Sequence, residues 1–106
     1  MPAESLPAFR VFLRLRTHPG AGPALERAWL LGADLIAAQP DNLGQWLARD
    51  TEDPDTYYVV SDWTDEARFR SYERSTLHAE HLARLRPHRT GGEMWTMSVV
   101  RSRPGP

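Results

Sequence analysis

Cysteine and lysine are both absent from this sequence. Without cysteine, the protein has no disulfide bond, no thiolate nucleophile and no cysteine-ligated metal. Without lysine, Schiff-base catalysis through a lysine amine is excluded. Arginine then supplies the strongly basic side chains, which is typical of GC-rich coding DNA and fits an actinobacterial source. The formal net charge of −1 predicts no general attraction to nucleic acid or to an acidic membrane.

Long apolar runs are also missing from the chain. No stretch approaches the roughly 20 residues of a membrane-spanning helix, and MPAESLPAF has neither the basic nor the apolar region of a signal peptide. We therefore expect a cytoplasmic protein. A length of 106 residues is typical of one domain, so we expect residues 1–106 to form one domain with a core at about 9–101 and frayed ends.

The hydrophobic pattern alternates between the strand period and the helix period. The predicted strands and helices are, in chain order, FRVFLRLRT, ALERAWLLGADLIAAQ, LGQWLARD, TYYVVSDW, a helix that follows TDE, and GGEMWTMSVVRS. Thr64 is expected to cap the second helix. This helix is expected to break near Ser75 and to end before Pro87.

The predicted order β-α-β-β-α-β, with short connections, indicates a ferredoxin-like α+β fold. In this fold, split β-α-β units form a four-stranded antiparallel sheet with helices on one face. The other face would carry Phe12, Trp46, Ala48, Tyr58 and Val60, and an apolar patch of this kind is an association site. We therefore expect a homodimer in which two sheets face each other as an α+β barrel.

Charged residues fall on the same open face. Arg10, Arg14 and Arg16 alternate with the apolar residues of the first strand, and Asp50 and Asp62 share their side. Because unpaired charge at a buried interface is costly, we expect these arginines to pair with these aspartates.

Several segments together resemble the antibiotic biosynthesis monooxygenase family. They are a first strand followed by HPG, a helix with an aromatic residue at its middle, PDNLGQWLARD, YYVVSDWTDEARFRSYERS and HAEHLARL. The most specific signal is Trp63 followed by an acidic turn, Ala67, Phe69, Tyr72 and His78. The resemblance covers about residues 9–101. It implies a dimeric α+β barrel with one pocket per subunit, between the sheet and the helices.

The resemblance implies more than one kind of chemistry. Some family members oxidise a phenolic or anthrone ring to a quinone with O₂ and without metal or flavin, because a deprotonated polyphenol supplies its own electrons. Other members degrade heme, and related barrels cyclise polyketides. We expect a cofactor-free monooxygenase that acts on a small aromatic polyketide or polyphenol. A polyketide cyclase or aromatase of the same fold, and a non-catalytic ligand-binding barrel, are the alternatives.

Three positions depart from the polar residues of these relatives. The resemblance aligns Val59 with an asparagine and Phe69 with a tyrosine that quinone-forming relatives carry near Trp63. It aligns Leu13 with an asparagine of heme-degrading relatives. The first two departures reduce the preference for an oxygenase over a cyclase. The third argues against heme degradation.

Two histidines lie three residues apart on the second helical segment, so His78 and His81 share a face. Imidazole titrates near neutral pH and can act as a general base toward a phenol or an enolisable carbon. The pair lacks a facing carboxylate that would complete a metal site, so we expect no metal. The alternative for both is a hydrogen-bonded or solvated helix surface, which is what we expect for His18 and His88.

The strand positions that face the helices supply the other candidate site residues. Trp63 either stacks a flat substrate or packs in the core, and Gln45 can either orient a substrate carbonyl or satisfy a backbone group. The expected catalytic residues are His81, His78 and Trp63. The expected substrate-binding residues are Trp29, Gln45, Val59, Phe69, Tyr72, Leu13 and Trp95.

Overall fold

The computed structural model describes residues 8–106, and the frayed end expected at residues 1–7 lies outside this range. The elements are β1 (Ala8–Thr17), α1 (Gly22–Ala37), β2 (Asn42–Arg49), β3 (Thr56–Trp63), α2 (Glu66–Glu73), α3 (Thr76–Leu85) and β4 (Arg89–Val99), with a 3₁₀ turn at Arg86–His88. The predicted ferredoxin-like order is confirmed, with the second helix divided into α2 and α3.

The strands form one antiparallel sheet in the order β2-β3-β1-β4. The register places Leu13 beside Val59 on β3 and beside Met94 on β4, so these three side chains share one face. Phe12 lies beside Val60 and Trp95 by the same register and belongs to the opposite face. The face of each strand residue therefore follows directly from these pairings.

The helices cover only the face that carries Leu13. The buried side chains of this core come from β1, β3 and all three helices: Val11, Leu15, Leu25, Ala28, Ile36, Tyr57, Val59, Trp63, Phe69 and Leu85. Among the described residues, no helix is long and apolar enough to cross a membrane.

Helix caps set the break between α2 and α3. Asp65, and not Thr64 as expected, caps α2, because its Oδ1 accepts a hydrogen bond from the Arg68 N–H at 2.8 Å. Ser75 caps α3 by accepting from the His78 N–H at 3.2 Å, and its hydroxyl donates to the Tyr72 carbonyl at 2.6 Å. One side chain thus ties together the two turns that carry Tyr72 and His78.

The open face carries the apolar patch that the sequence predicted. Trp46 and Trp95 are 51% and 45% exposed there, and the Phe12 ring lies 5.6 Å from the Tyr58 ring and 6.0 Å from that of Trp95. Val60 lies between Phe12 and Trp46 in the strand register.

The ion pairs on this face only partly follow the prediction. Arg10 pairs with Asp62 through two hydrogen bonds of 2.7 and 2.8 Å, as expected. Arg14 and Arg16 instead pair with Glu93 at 3.1 Å, which lies opposite Arg14 in the β1–β4 register. Asp50 accepts the Tyr58 hydroxyl at 2.7 Å, so its expected pairing with an arginine is wrong.

Candidate functional site

A cavity of about 270 Å³ lies between the inner face of the sheet and the helices. Its volume is close to the lower end of the roughly 300–1,000 Å³ that small-molecule sites span. Most of its wall is apolar, and nine of the ten expected site residues line it: His81, His78, Trp63, Trp29, Gln45, Val59, Phe69, Tyr72 and Leu13. The size and the apolar wall of the cavity therefore suit a compact apolar ligand with few polar groups.

Trp95 is the expected site residue that the structure places elsewhere. It pairs with Phe12 in the sheet register and lies on the open face, while its neighbour Met94 lines the cavity. The assignment of Trp95 to the cavity wall is therefore wrong. The error comes from β4, where Trp95, Met97 and Val99 alternate with Thr96 and Ser98. The apolar side of this strand is expected to face the helices, but the register places it on the open face.

Trp63 contributes to the wall mainly as a packed core residue. It is 1% exposed, the ring of Tyr72 stacks on it at 4.6 Å, and its Nε1–H donates to the Ser61 hydroxyl at 3.0 Å. A flat ligand therefore cannot stack on the indole unless Tyr72 moves. In this structure Tyr72 occupies the place that we expected a substrate ring to take.

Tyr72 is the phenol of the site. Burial raises its pKa to about 12, so the hydroxyl stays protonated at neutral pH and can donate a hydrogen bond. Its ring also meets His78 edge-on, with centroids 5.1 Å apart. Tyr72 therefore links the Trp63 stack to the histidines on α3.

His81 is the most deeply buried ionisable group of the cavity wall, at 6% exposed. Burial is the main cause that lowers its pKa to about 4, and the charges of Arg84 and His78 act in the same direction. The ring is thus neutral at pH 7. Its Nδ1 has no hydrogen-bond partner among residues 8–106.

His78 is partly buried at the other side of Tyr72. Burial lowers its pKa, whereas the charge of Glu73 and a hydrogen bond with the Glu73 backbone oppose this shift. The two histidines therefore share one cavity, as the i, i+3 spacing predicted. The neighbouring charges act on them in opposite directions, because those of Arg84 and His78 lower the pKa of His81 and that of Glu73 raises the pKa of His78.

Gln45 takes one of its two expected roles, which is to satisfy a backbone group. Its Nε2 donates to the carbonyl of Ala33 on α1 at 2.6 Å, so the amide nitrogen satisfies a backbone group. This bond ties β2 to α1 beside the cavity and fixes the orientation of the amide. The amide oxygen is the remaining polar group that Gln45 can offer to a ligand.

Charged residues and a glycine at the cavity were not anticipated from the sequence. Glu73 and Arg89 line it, and Gly32 on α1 lies directly against His81. A glycine within the apolar stripe of a helix is a usual sign of close packing, and that signal was available for Gly32. Among residues 8–106, no group of three or more His, Asp or Glu residues could hold a metal ion.

The strands and helices that build this cavity match one family of known proteins. Residues 8–84 match the family model described as antibiotic biosynthesis monooxygenase. The chain belongs to this family. The resemblance inferred from the Trp63–His78 segment is thereby confirmed.

Individual relatives of this monooxygenase-family chain are more distant. Protein SchA from Streptomyces halstedii is 27% identical over 92 residues, a match that covers 87% of this chain and 24% of SchA. The chain thus spans about a quarter of the length of that curated relative.

Solved structures agree on the fold. SnoaB from Streptomyces nogalater, described as a cofactor-independent oxygenase, gives a TM-score of 0.82 at 23% identity, over 93% of this chain and 99% of SnoaB. A putative antibiotic biosynthesis monooxygenase from Chloroflexus aurantiacus gives 0.78 at 20% identity, over 92% of this chain and 97% of that one.

Proposed function

We propose that this protein is a cofactor-independent oxygenase that converts a planar phenol or anthrone, of the aromatic polyketide class, to a quinone. Membership of the family and the description of SnoaB support this reaction class. The observation that carries the proposal is the apolar cavity, in which His78, His81 and Tyr72 supply polar groups among aliphatic and aromatic walls.

The chemistry needs binding and anion stabilisation more than a redox group. When an anthrone loses a proton from its methylene carbon, the resulting anion is electron-rich enough to reduce O₂. The methylene carbon loses both hydrogens and gains one oxygen atom, and the second oxygen atom leaves as water. The four electrons that this carbon gives up balance the four that O₂ accepts. An apolar cavity excludes water and strengthens hydrogen bonds to the anion.

A polyketide cyclase or aromatase is the second candidate. Val59 and Phe69 line the cavity at positions where quinone-forming relatives carry polar side chains, which favours a site that shapes a chain over one that binds a phenol. A non-catalytic ligand-binding barrel would have the same cavity without turnover.

Oxygen consumption distinguishes these candidates. Purified protein mixed with a dihydroxyanthrone should consume one O₂ per quinone formed, above the spontaneous rate and without added metal or flavin. Tight binding of the anthrone with no increase in O₂ uptake would contradict the oxygenase and favour the other candidates. Retention of the rate after treatment with a chelator would support a reaction without metal.

We infer that the protein is a cytoplasmic homodimer and that the molecule it binds is this small aromatic substrate. The apolar open face of the sheet, with Trp46 and Trp95 half exposed, supports dimerisation. The net charge of −1 favours neither nucleic acid nor a membrane surface as a partner.

A further inference from the structure

The imidazole of His81 lies edge-on against helix α1. A Cβ atom at Gly32 would lie 2.1 Å from His81 Nδ1 and 2.9 Å from Cε1, so the ring fills the space that a side chain at position 32 would need. His81 is 6% exposed, and Nδ1 has no hydrogen-bond partner among residues 8–106. With Nδ1 turned toward α1, the Nε2 edge of the ring is left to face the cavity that His81 lines.

This packing determines which nitrogen carries the hydrogen in the neutral ring. Neutral imidazole has one N–H donor and one bare acceptor nitrogen. A buried N–H without an acceptor gives up its hydrogen bond to water and gains none, whereas a bare nitrogen tolerates contact with the Cα hydrogens of Gly32. The contact with Gly32 therefore favours the tautomer that carries its hydrogen on Nε2.

We propose that His81 is a neutral hydrogen-bond donor, through Nε2–H, to a substrate oxygen in the cavity, and that it is not a general base. A nitrogen that already carries a hydrogen and points at the substrate cannot accept a proton from it. The oxygen bound in this way is the carbonyl or phenolic oxygen that becomes negative when the ring is deprotonated, so the hydrogen bond strengthens as the anion forms. The inference rests on the proposed function and assigns a role within that site.

The surroundings of the two histidines support this division of roles. Burial and the charges of Arg84 and His78 depress the pKa of His81, which disfavours the protonated ring that a base would become. Burial also lowers the pKa of His78, but the charge of Glu73 and a hydrogen bond with the Glu73 backbone oppose that shift. Of the two histidines that line the cavity, His78 therefore has the surroundings that favour a bound proton more, which makes it the candidate base within this proposal.

Nitrogen-15 spectra of the imidazoles test the tautomer without any substrate. The protein has four histidines, and the His81 signals are assigned by their loss in His81→Gln. We expect a protonated-type signal for Nε2 and a bare-type signal for Nδ1, both unchanged between pH 6 and pH 8. A hydrogen on Nδ1, or a titration within this range, would overturn the proposal.

Two amide variants separate the donor from the base by geometry. Glutamine at position 81 places its amide NH₂ where Nε2 lies, and asparagine places its amide where Nδ1 lies, against Gly32. We expect His81→Gln to keep kcat for a dihydroxyanthrone within about tenfold of the original and His81→Asn to lower it by about 100-fold, the usual loss for one oxyanion donor. Equal, large losses in both variants, at matched folded fractions, would contradict the donor role.

The experiments distinguish a failure of the proposed reaction from a failure of the proposed donor role. If the original protein consumes no O₂ with the anthrone, the proposed function is wrong. A hydroxyanthraquinone then still serves as the probe, because its binding should shift the Nε2–H proton of His81 strongly downfield. No shift in a saturated complex would overturn the donor role itself.

Discussion

At the scale of single residues, a buried histidine has consequences for stability as well as for chemistry. The folded state of this protein holds His81 with a pKa of about 4, below its ordinary value of 6.5, so the unfolded chain binds a proton more readily between these values. Where the unfolded state binds more protons, stability rises with pH. The contribution of His81 to the free energy of unfolding is therefore fully present above pH 6.5 and is lost as the pH falls toward 4.

We accordingly predict an acid-sensitive fold whose sensitivity depends on His81. Lowering the pH from 7.5 to 5 should reduce the free energy of unfolding by about 2 kcal/mol through this group, and His81→Gln should remove that part. The measurement is urea unfolding at both values of pH. His18→Gln, at an exposed turn, is the matched control and should keep the full pH dependence. Identical curves for the two variants would argue against the burial of a neutral ring.

The contact between Gly32 and His81 predicts a change of sign in a pair of variants. Gly32→Ala should destabilise the protein by about 1–3 kcal/mol, because the new methyl group overpacks against the imidazole. On the His81→Ala background the same change should stabilise it by up to about 1 kcal/mol, since alanine is the better helix former. Urea unfolding of the four proteins completes the cycle. Equal effects on both backgrounds would mean that the two residues are not in contact.

At the scale of elements, the alternation of a strand could be read from the sequence, but not always which of its two faces meets the helices. In β1, arginines alternate with apolar residues, and the prediction is correct. In β4, Trp95 and Met97 alternate with Thr96 and Ser98, but this apolar side lies on the open face. The sequence therefore placed Trp95 on the wrong face and missed Glu93 as the partner of Arg14 and Arg16. The apolar patch that misled the prediction for β4 lies on the open face of the sheet, and the same patch suggests dimerisation.

The break between two helices could also be located from the sequence, but its hydrogen bonds could not. Ser75 was recognised as the break, whereas its two hydrogen bonds, one donated to the Tyr72 carbonyl and one accepted from the His78 N–H, depend on how the chain turns in space. The histidine spacing placed His78 and His81 on one face. Only the packing of α3 against α1 indicates which nitrogen of His81 is available.

We predict that Ser75 orders the cavity as well as the helix. Ser75→Ala should reduce the free energy of unfolding by about 1 kcal/mol through loss of the cap, and should also weaken ligand binding because Tyr72 and His78 lose their common anchor. Asp65→Ala removes the cap of α2 and should cost about as much stability while leaving binding close to normal. Isothermal titration with a hydroxyanthraquinone compares the two. Equal binding losses would leave Ser75 as a helix cap alone.

At the scale of the whole molecule, the proposed dimer depends on the open face of the sheet. Val60 lies at its centre, between Phe12 and Trp46 in the strand register, and is partly exposed in the single chain. A glutamate at this position can reach water in a monomer but would be enclosed between two sheets, where the nearby Arg10 and Arg14 already pair with Asp62 and Glu93. Enclosing an unpaired carboxylate costs several kcal/mol, whereas the fold of the single chain has little to lose.

Light scattering at micromolar concentration should therefore give about twice the chain mass of 12.1 kDa for the original protein and about the single mass for Val60→Glu. Leu31→Glu is the matched control, because Leu31 is 70% exposed on α1 and lies on the other side of the molecule from the open sheet face. It should leave the dimer intact. Circular dichroism should show both variants folded, which separates dissociation from unfolding. If Leu31→Glu dissociates the protein and Val60→Glu does not, the subunits associate through α1, and the open face of the sheet needs a different partner.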